Sequence, residues 1–136
     1  MFGEQSALFF LSKLMERSLS EAYIVMGVKE NGGVEQFKRC VGERDAAVGL
    51  NVEFSQTAND HFEYRFNTDP FPGLKSIVDK RELDETYMKF KVNFFLGPDW
   101  SYITREDIWH GDKFTRHVIF QKKGTYDLEL LDTIRR

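Results

Sequence analysis

Two stretches decide the fold: FEYRFNTDPF at residues 62–71 and YITREDIWHGDKFTRHVIFQ at residues 102–121. In the first, Phe62, Tyr64 and Phe66 alternate with polar residues, which is the period of a strand with one buried face. In the second, the turn sequence HGDK separates two strand-like runs, and its glycine can adopt positive φ. The first stretch therefore predicts a strand, and the second predicts a β-hairpin.

The chain just before residue 62 supplies a partner for the first strand. Leu50, Val52 and Phe54 alternate with polar residues, and the turn-prone run QTAND follows them. We therefore predict two antiparallel hairpins, at residues 50–67 and 101–121. Together they would form a four-stranded antiparallel sheet.

Apolar residues recur every three or four positions in four other segments, which predicts helices at 3–26, 33–48, 70–80 and 82–95. Asp69 and Pro70 have the residue types of an N-cap and a first helical position, so they are expected to open the third helix. Gly49 and Gly97-Pro98 are expected to end the second and the fourth helix.

The order of elements is ααββααββ, which predicts a single α+β domain over residues 1–136, with helices covering the sheet. The C-terminal tail 122–136 is expected to form a short helix or an extended arm. A chain of 136 residues has room for one ordinary domain but not for two.

Composition excludes several classes of protein. The formal charge of −3, with scattered Lys and Arg, argues against nucleic-acid binding, which needs a basic face. No apolar run approaches the ~20 residues of a membrane helix, and the start lacks the pattern of a signal peptide. We therefore expect no membrane partner and a cytoplasmic location.

The sequence holds one cysteine, Cys40, so an internal disulfide and a multi-thiolate zinc site are excluded. Cys40 lies beside Lys38 and Arg39, whose charges could activate a thiol, but a small packed or half-exposed side chain is the expected role. His110, Asp112 and His117 are metal-ligand types, yet a regular hairpin would hold His117 away from the turn. The sequence predicts neither a metal site nor a cofactor, and it contains no nucleotide-binding or hydrolase signature.

The first helix is apolar on more than one side. Leu8, Met15 and Leu19 belong to one stripe, whereas Phe9, Phe10 and Tyr23 lie outside it. This excess predicts a second contact surface and hence a homodimer. The alternative, one wide face buried in the core, remains open.

Aromatic residues of the first strand pair and of the fourth helix could line an apolar pocket between that helix and the sheet. The residues concerned are Phe62, Tyr64, Phe66, Phe90 and Phe94. Asp99 and Trp100, an acid and an aromatic at the end of an element, could bind a small polar ligand near its rim, as could His117. Ordinary core packing explains the same aromatic residues equally well.

Three motifs, NTDPF, FFLGPDW and HGDKFTRHVIF, give residues 34–121 a resemblance to a known family. The chain resembles the L-2-amino-thiazoline-4-carboxylate hydrolases and, more distantly, the 4-vinyl reductase-type ligand-binding domains. Such relatives often carry a cysteine soon after the Gly-Asp pair and another in the proline turn. This chain has Phe114, Thr115 and Arg116 after the pair, and Thr68 to Phe71 in the turn.

Three functions follow as hypotheses. The first, implied by the resemblance, is a hydrolase of a small nitrogen-containing carboxylate, in which Asp99 activates water, His117 assists proton transfer and Arg65 holds the carboxylate. The second is a small-molecule binding or sensing domain, and the third is a structural dimerisation module. The missing family cysteines favour the second and third hypotheses.

Overall fold

The structure, a computed structural model, describes residues 3–75 and 77–124. It is an α+β fold with helices α1 (Glu4–Val25), α2 (Val34–Ala47) and α3 (Lys80–Leu96). Four strands accompany them: β1 (Val52–Ala58), β2 (His61–Phe66), β3 (Trp100–Glu106) and β4 (Thr115–Gln121). The predicted fold class and both hairpins are confirmed. The tail prediction lies, from residue 125 onward, outside the described residues.

The strands form one antiparallel sheet in the order β1-β2-β4-β3. The central pair is β2 and β4, in which Tyr64 lies opposite His117 and Phe62 opposite Ile119. On the other side of β4, Thr104 of β3 also lies opposite His117. Side chains alternate between the two faces of each strand, so all five of these residues share the face that the helices cover.

The main core lies between this inner face and the three helices. Phe37 of α2 packs edge-on against Phe62 of β2 and Phe95 of α3, with ring centroids 5.3 Å apart in both pairs. Tyr23 of α1 contacts Phe95 at 4.8 Å. All four rings are fully buried, so each helix contributes an aromatic anchor to one core.

The outer face of the sheet is not uniformly polar. Ile103, Val118 and Phe120 form a small second apolar cluster there, each at most 5% exposed. Arg116, two residues before Val118 on the same face of β4, forms ion pairs with Glu63 and Glu106. Strand β4 is therefore buried on both faces over most of its length.

The predicted helix 70–80 is wrong. Among the described residues of this segment only a short 3-10 helix, Pro72–Leu74, forms before α3 begins at Lys80. Asp69 does not cap a helix: its carboxylate accepts from the Phe71 amide at 2.8 Å and from the Trp109 indole at 2.6 Å. The cap of α3 is Asp79, which accepts from the amides of Arg81 and Glu82.

Two glycines predicted to end a helix or to form a turn have positive φ, as expected. Gly97 follows α3 with φ 89°, and a Cβ there would lie 2.9 Å from Asn31 Oδ1. Gly111 adopts the left-handed conformation, with φ 99°, at the end of the 3-10 turn Ile108–His110. That turn shortens the first strand-like run of the predicted hairpin, residues 102–109, because β3 ends at Glu106.

Candidate ligand-binding groove

The inner face of β3 forms the floor of a groove beside α3. Alternation along β3 directs Trp100, Tyr102 and Thr104 toward the helical side of the sheet. Strand β3 lies at the edge of the sheet, so one side of this face has no neighbouring strand. The wall that faces them consists of the α3 residues Arg81, Asp84, Glu85, Lys89, Phe90 and Asn93. The groove has a volume of about 1000 Å³, which is large enough for a small organic ligand.

The groove changes character along β3. At the Trp100 end, Phe90 and Tyr102 give it aromatic surface. At the Thr104 end, Asp84 and Asp107 border it, and their carboxylates are drawn together by Lys80. A planar ring would find stacking partners at one end, and hydrogen-bond donors would find acceptors at the other.

A chain of buried hydrogen bonds runs beneath the polar end. Thr104 Oγ1 lies 2.8 Å from His117 Nδ1, and His117 Nε2 lies 3.4 Å from the Tyr87 hydroxyl. That hydroxyl donates to Asp84 Oδ1 at 3.0 Å. Lys80 Nζ donates to both oxygens of Asp84 at 2.8 Å. The chain of hydrogen bonds thus begins at Thr104 and ends at Asp84 and Lys80, and both Thr104 and Asp84 border the groove.

These partners assign the tautomer of His117. The Tyr87 hydroxyl donates its hydrogen bond to the carboxylate of Asp84. The hydroxyl oxygen can therefore only accept a hydrogen bond from the imidazole of His117. The proton of a neutral imidazole then resides on Nε2 and points to Tyr87. Nδ1 is left as the acceptor for the Thr104 hydroxyl.

Burial shifts the pKa values of this chain. Desolvation raises the pKa of the Asp84 carboxyl to about 6, although Lys80 acts in the opposite direction. Desolvation, helped by the charges of Lys80 and Lys91, lowers the pKa of His117 well below its ordinary value. His117 is therefore neutral at physiological pH, and the pKa of Asp84, about 6, lies near that pH.

A second polar group lies deeper, away from the groove. The Lys91 ammonium donates to the Tyr64 hydroxyl at 3.0 Å and lies 3.4 Å from Asp45 Oδ1, while Tyr64 donates to Asp45. The ammonium also lies 5.2 and 5.3 Å from the ring centroids of Tyr87 and Tyr64. Burial lowers the pKa of Lys91 and raises that of Tyr64. This trio neutralises its own charge inside the core.

The structure separates the two residues predicted as catalytic. His117 is fully buried under the groove floor, whereas Asp99 is an exposed residue before β3, whose carbonyl accepts from the Lys122 amide. His117 lies opposite Thr104, five residues further along the chain than Asp99. At the rise of a strand this is about 16 Å. The acid that the fold brings to the His117 chain is Asp84.

Arg65, predicted to hold a substrate carboxylate, lies on the opposite side of the sheet. It alternates with Tyr64 and Phe66 along β2, pairs with Glu53 and stacks over Phe114 at 4.9 Å. The prediction that Arg65 joins His117 in one site is therefore wrong, because alternation along the strand points the two side chains to different faces.

The predicted pocket is displaced rather than centred on β2. Tyr64 and Phe66 are at most 1% exposed and packed among other rings, so they are core residues. Phe94 also packs against this core, 5.9 Å from Tyr23. Phe90 and Trp100 do border the groove. The groove thus lies over β3, at one edge of the aromatic cluster that was expected to enclose the pocket.

Sequence reasoning missed Asp84, Tyr87 and Lys91 as a group. A signal was present, because Asp84 and Lys91 are charged residues on the buried face of the helix whose apolar positions include Tyr87 and Phe95. Charges at positions that should be apolar indicate a buried ion pair or a site.

Cys40 is 1% exposed within the core, which selects the packed of the two alternatives expected for it. Within residues 3–75 and 77–124, no group of three His, Cys, Asp or Glu side chains is arranged to hold a metal ion. In the same part of the chain, no helix combines the length and apolarity needed to cross a membrane.

No protein-family model matches the sequence, and a search of curated proteins gives no match.

Proposed function

We propose that the protein binds a small, planar, nitrogen-containing molecule in the groove between α3 and β3. The observation that carries this proposal is the junction of an aromatic floor with the buried chain from Thr104 to Asp84. Polar groups held by buried partners are costly to maintain in a core, and such arrangements are typical of binding sites.

The chemistry of the two ends supports this ligand class. The rings of Phe90 and Trp100 offer stacking surface, and the carboxylates of Asp84 and Asp107 accept hydrogen bonds from amine or amidine N–H groups. Arg81, Lys89 and Arg105 border the same groove and provide positive charge for a ligand carboxylate. This combination agrees with the small nitrogen-containing carboxylates that the family resemblance implies.

The hydrogen bonds of Asp84 favour binding of a ligand over its hydrolysis. Both oxygens of Asp84 accept from Lys80, and Oδ1 also accepts from Tyr87, so buried side chains already engage both oxygens that would have to activate a water. The thiol of Cys40 is buried in the core instead of lining the groove.

The test is a thermal-shift screen with cyclic amidines, small amino acids and aromatic heterocycles, followed by recovery of any compound that raises the melting temperature. We expect the compound to be recovered unchanged, and Phe90→Ala and Thr104→Val to reduce its effect. Phe54→Ala is the matched control, since Phe54 is also half-buried but borders a separate, shallower groove between α2 and β1.

Two outcomes would change the conclusion. Consumption of the compound, abolished in Asp84→Asn, would replace binding by hydrolysis. An equal loss of the ligand effect in Phe54→Ala and Phe90→Ala would mean that the groove is not the site.

We also propose that the chain forms a homodimer through α1. Phe9, Phe10 and Leu14 are each more than 60% exposed on this helix, and Val25 at its other end is 87% exposed. Exposed apolar side chains grouped along one helix are typical of protein–protein contacts. Sedimentation velocity at micromolar concentration should give a dimer, and Leu14→Glu should give a monomer of unchanged fold. A monomeric wild-type protein would contradict this proposal.

A further inference from the structure

Helix α1 carries a second stripe on the side that faces away from the domain. Its members, Phe10, Leu14, Arg17, Glu21 and Ile24, follow one another at spacings of four, three, four and three residues. This is the a/d spacing of a coiled coil, and we call these five residues the α1 seam. The opposite side of the helix, with Leu19 and Tyr23, is buried against the domain.

The α1 seam is open to solvent along its length. Phe10, Leu14 and Ile24 are 62–65% exposed. The side chains of Arg17 and Glu21 are 81% and 69% exposed, although Arg17 Nε lies 3.3 Å from Glu21 Oε1. The seam therefore consists of apolar residues at both ends and one ion pair in the middle.

The order of charges in the seam selects an orientation. In a parallel pair of helices, residues of equal number meet, so Arg17 would face Arg17 and Glu21 would face Glu21. In an antiparallel pair, each a position meets a d position of the other helix. Arg17 of one copy then faces Glu21 of the other, and Leu14 faces Ile24. Only the antiparallel arrangement pairs opposite charges.

We propose that two copies of this chain associate through antiparallel α1 helices, with Leu14 opposite Ile24 and Arg17 opposite Glu21 of the second copy. This inference rests on the proposed homodimer and adds its orientation and register. The two-fold axis passes between Arg17 and Glu21, at the level of Leu19.

The residues beside the seam agree with this register. Ser18 and Ser20 lie on its two flanks at the level of the axis, where their small side chains allow the helices to approach closely. Leu11 and Val25 lie on one flank, eight and six residues from the level of the axis, so the antiparallel arrangement brings them near each other. Val25 is 87% exposed in the single chain, and this contact would cover it.

Cysteine cross-linking tests the register directly. Cys40 is 1% exposed, so the background reaction is expected to be slow. In the variant carrying both Leu14→Cys and Ile24→Cys, each new thiol faces the other type on the second copy, and mild oxidation should give a covalent dimer. Leu14→Cys alone should not cross-link, because two residues 14 lie about 15 Å apart along the helix axis.

The outcomes separate the two levels of the proposal. Cross-linking of Leu14→Cys alone would overturn the antiparallel register in favour of a parallel one. A dimer by sedimentation in which neither variant cross-links would overturn the use of the α1 seam while the homodimer stands. A wild-type protein that sediments as a monomer would overturn both.

Charge reversal provides a second measurement. Arg17→Glu would place like charges across the seam, and we expect the dissociation constant of the dimer to rise about tenfold. Adding Glu21→Lys in the same chain should restore it. Lys89→Glu is the matched control, because Lys89 is similarly exposed and paired with a glutamate four residues away, but lies on α3. An equal effect of Lys89→Glu would contradict the assignment.

Discussion

Helix α3 packs over two regions of opposite character. Near its C-terminal end, Phe95 meets Phe37 and Tyr23 in an apolar core rich in aromatic rings. Near its N-terminal end, Lys80 and Asp84 are buried as an ion pair on the same helix. We refer to these as the aromatic end and the charged end of α3.

The two ends differ in what they contribute to the fold. Apolar burial stabilises the aromatic end directly, and any well-packed set of similar side chains would do so. At the charged end the desolvation of each ion opposes its pairing, so a similar volume of apolar residues would stabilise the fold as well or better. The comparison teaches that stability alone does not account for the charged end, and the groove lies beside it.

The largest effect is expected at the aromatic end. Phe37→Ala should lower the free energy of unfolding by about 4 kcal/mol, because it removes a fully buried ring and leaves a cavity among Phe62, Tyr64 and Phe95. Urea unfolding followed by circular dichroism measures this change. A loss below about 1 kcal/mol would mean that the rings do not form the main core.

The buried trio of Lys91, Tyr64 and Asp45 lies under the middle of α3. A single substitution in it is expected to destabilise the fold more than substitution of all three residues. Lys91→Met should lower the free energy of unfolding by about 3 kcal/mol, because Asp45 remains buried without its cation. Combining it with Asp45→Leu and Tyr64→Phe should recover most of that loss. The same urea titrations check both results. A triple variant weaker than Lys91→Met would show that these charges support the fold, and the comparison would fail.

The charged end should also give the protein a pH-dependent stability. Asp84 has a pKa of about 6 in the fold and an ordinary value of 3.8, so the folded state binds the extra proton between these values. Its contribution is present below pH 4 and is lost as the pH rises through 6, and it corresponds to about 3 kcal/mol. Relative to wild type, Asp84→Asn should therefore gain stability between pH 4 and pH 6.5.

His117 supplies the control of opposite sign. Its pKa is lowered in the fold, so the unfolded state takes up the proton first as the pH falls below 6.5. Relative to wild type, His117→Gln should gain stability toward low pH. Unfolding midpoints across this pH range measure both variants, and slopes of equal sign would contradict the assignment of one of the two groups.

The smallest effect is expected on the outer face, where charges are only partly buried. Arg116 bridges Glu63 and Glu106, and its side chain is 21% exposed. Arg116→Gln should lower the free energy of unfolding by about 1 kcal/mol, less in high salt, because solvent screens these ions. A loss as large as that of Lys91→Met would remove the distinction between buried and surface charges on which the comparison depends.

The elements with a regular period could be predicted from the sequence. Alternation located both hairpins, and the apolar stripes located α1, α2 and α3, because those patterns report burial directly. The predicted helix 70–80 failed because Asp69 and Pro70 suit a turn as well as a cap. The tertiary contact of Asp69 with Trp109, forty residues away, selects the turn.

The site was less predictable because it depends on strand order. Trp100 and Phe90 were recognised as candidates, but the order β1-β2-β4-β3 places β3 at the edge and moves the open space there. Arg65 was grouped with His117 in one site, although its parity with Tyr64 on β2 excluded a shared side. The partners of His117 could not be found from spacing, since Thr104 and Tyr87 come from two different elements.

The same strand order has a consequence for how the chain reaches its fold. Each hairpin closes through a short connection, so β1-β2 and β3-β4 are local in sequence. Their joint, between β2 and β4, brings Phe66 beside Thr115 from far along the chain. Closing that loop requires the entropy of the whole intervening segment, including α3, to be lost before the pairing is gained. We therefore expect the pairing of β2 with β4 to be the slow event in folding, and the Tyr64–His117 pair to form late.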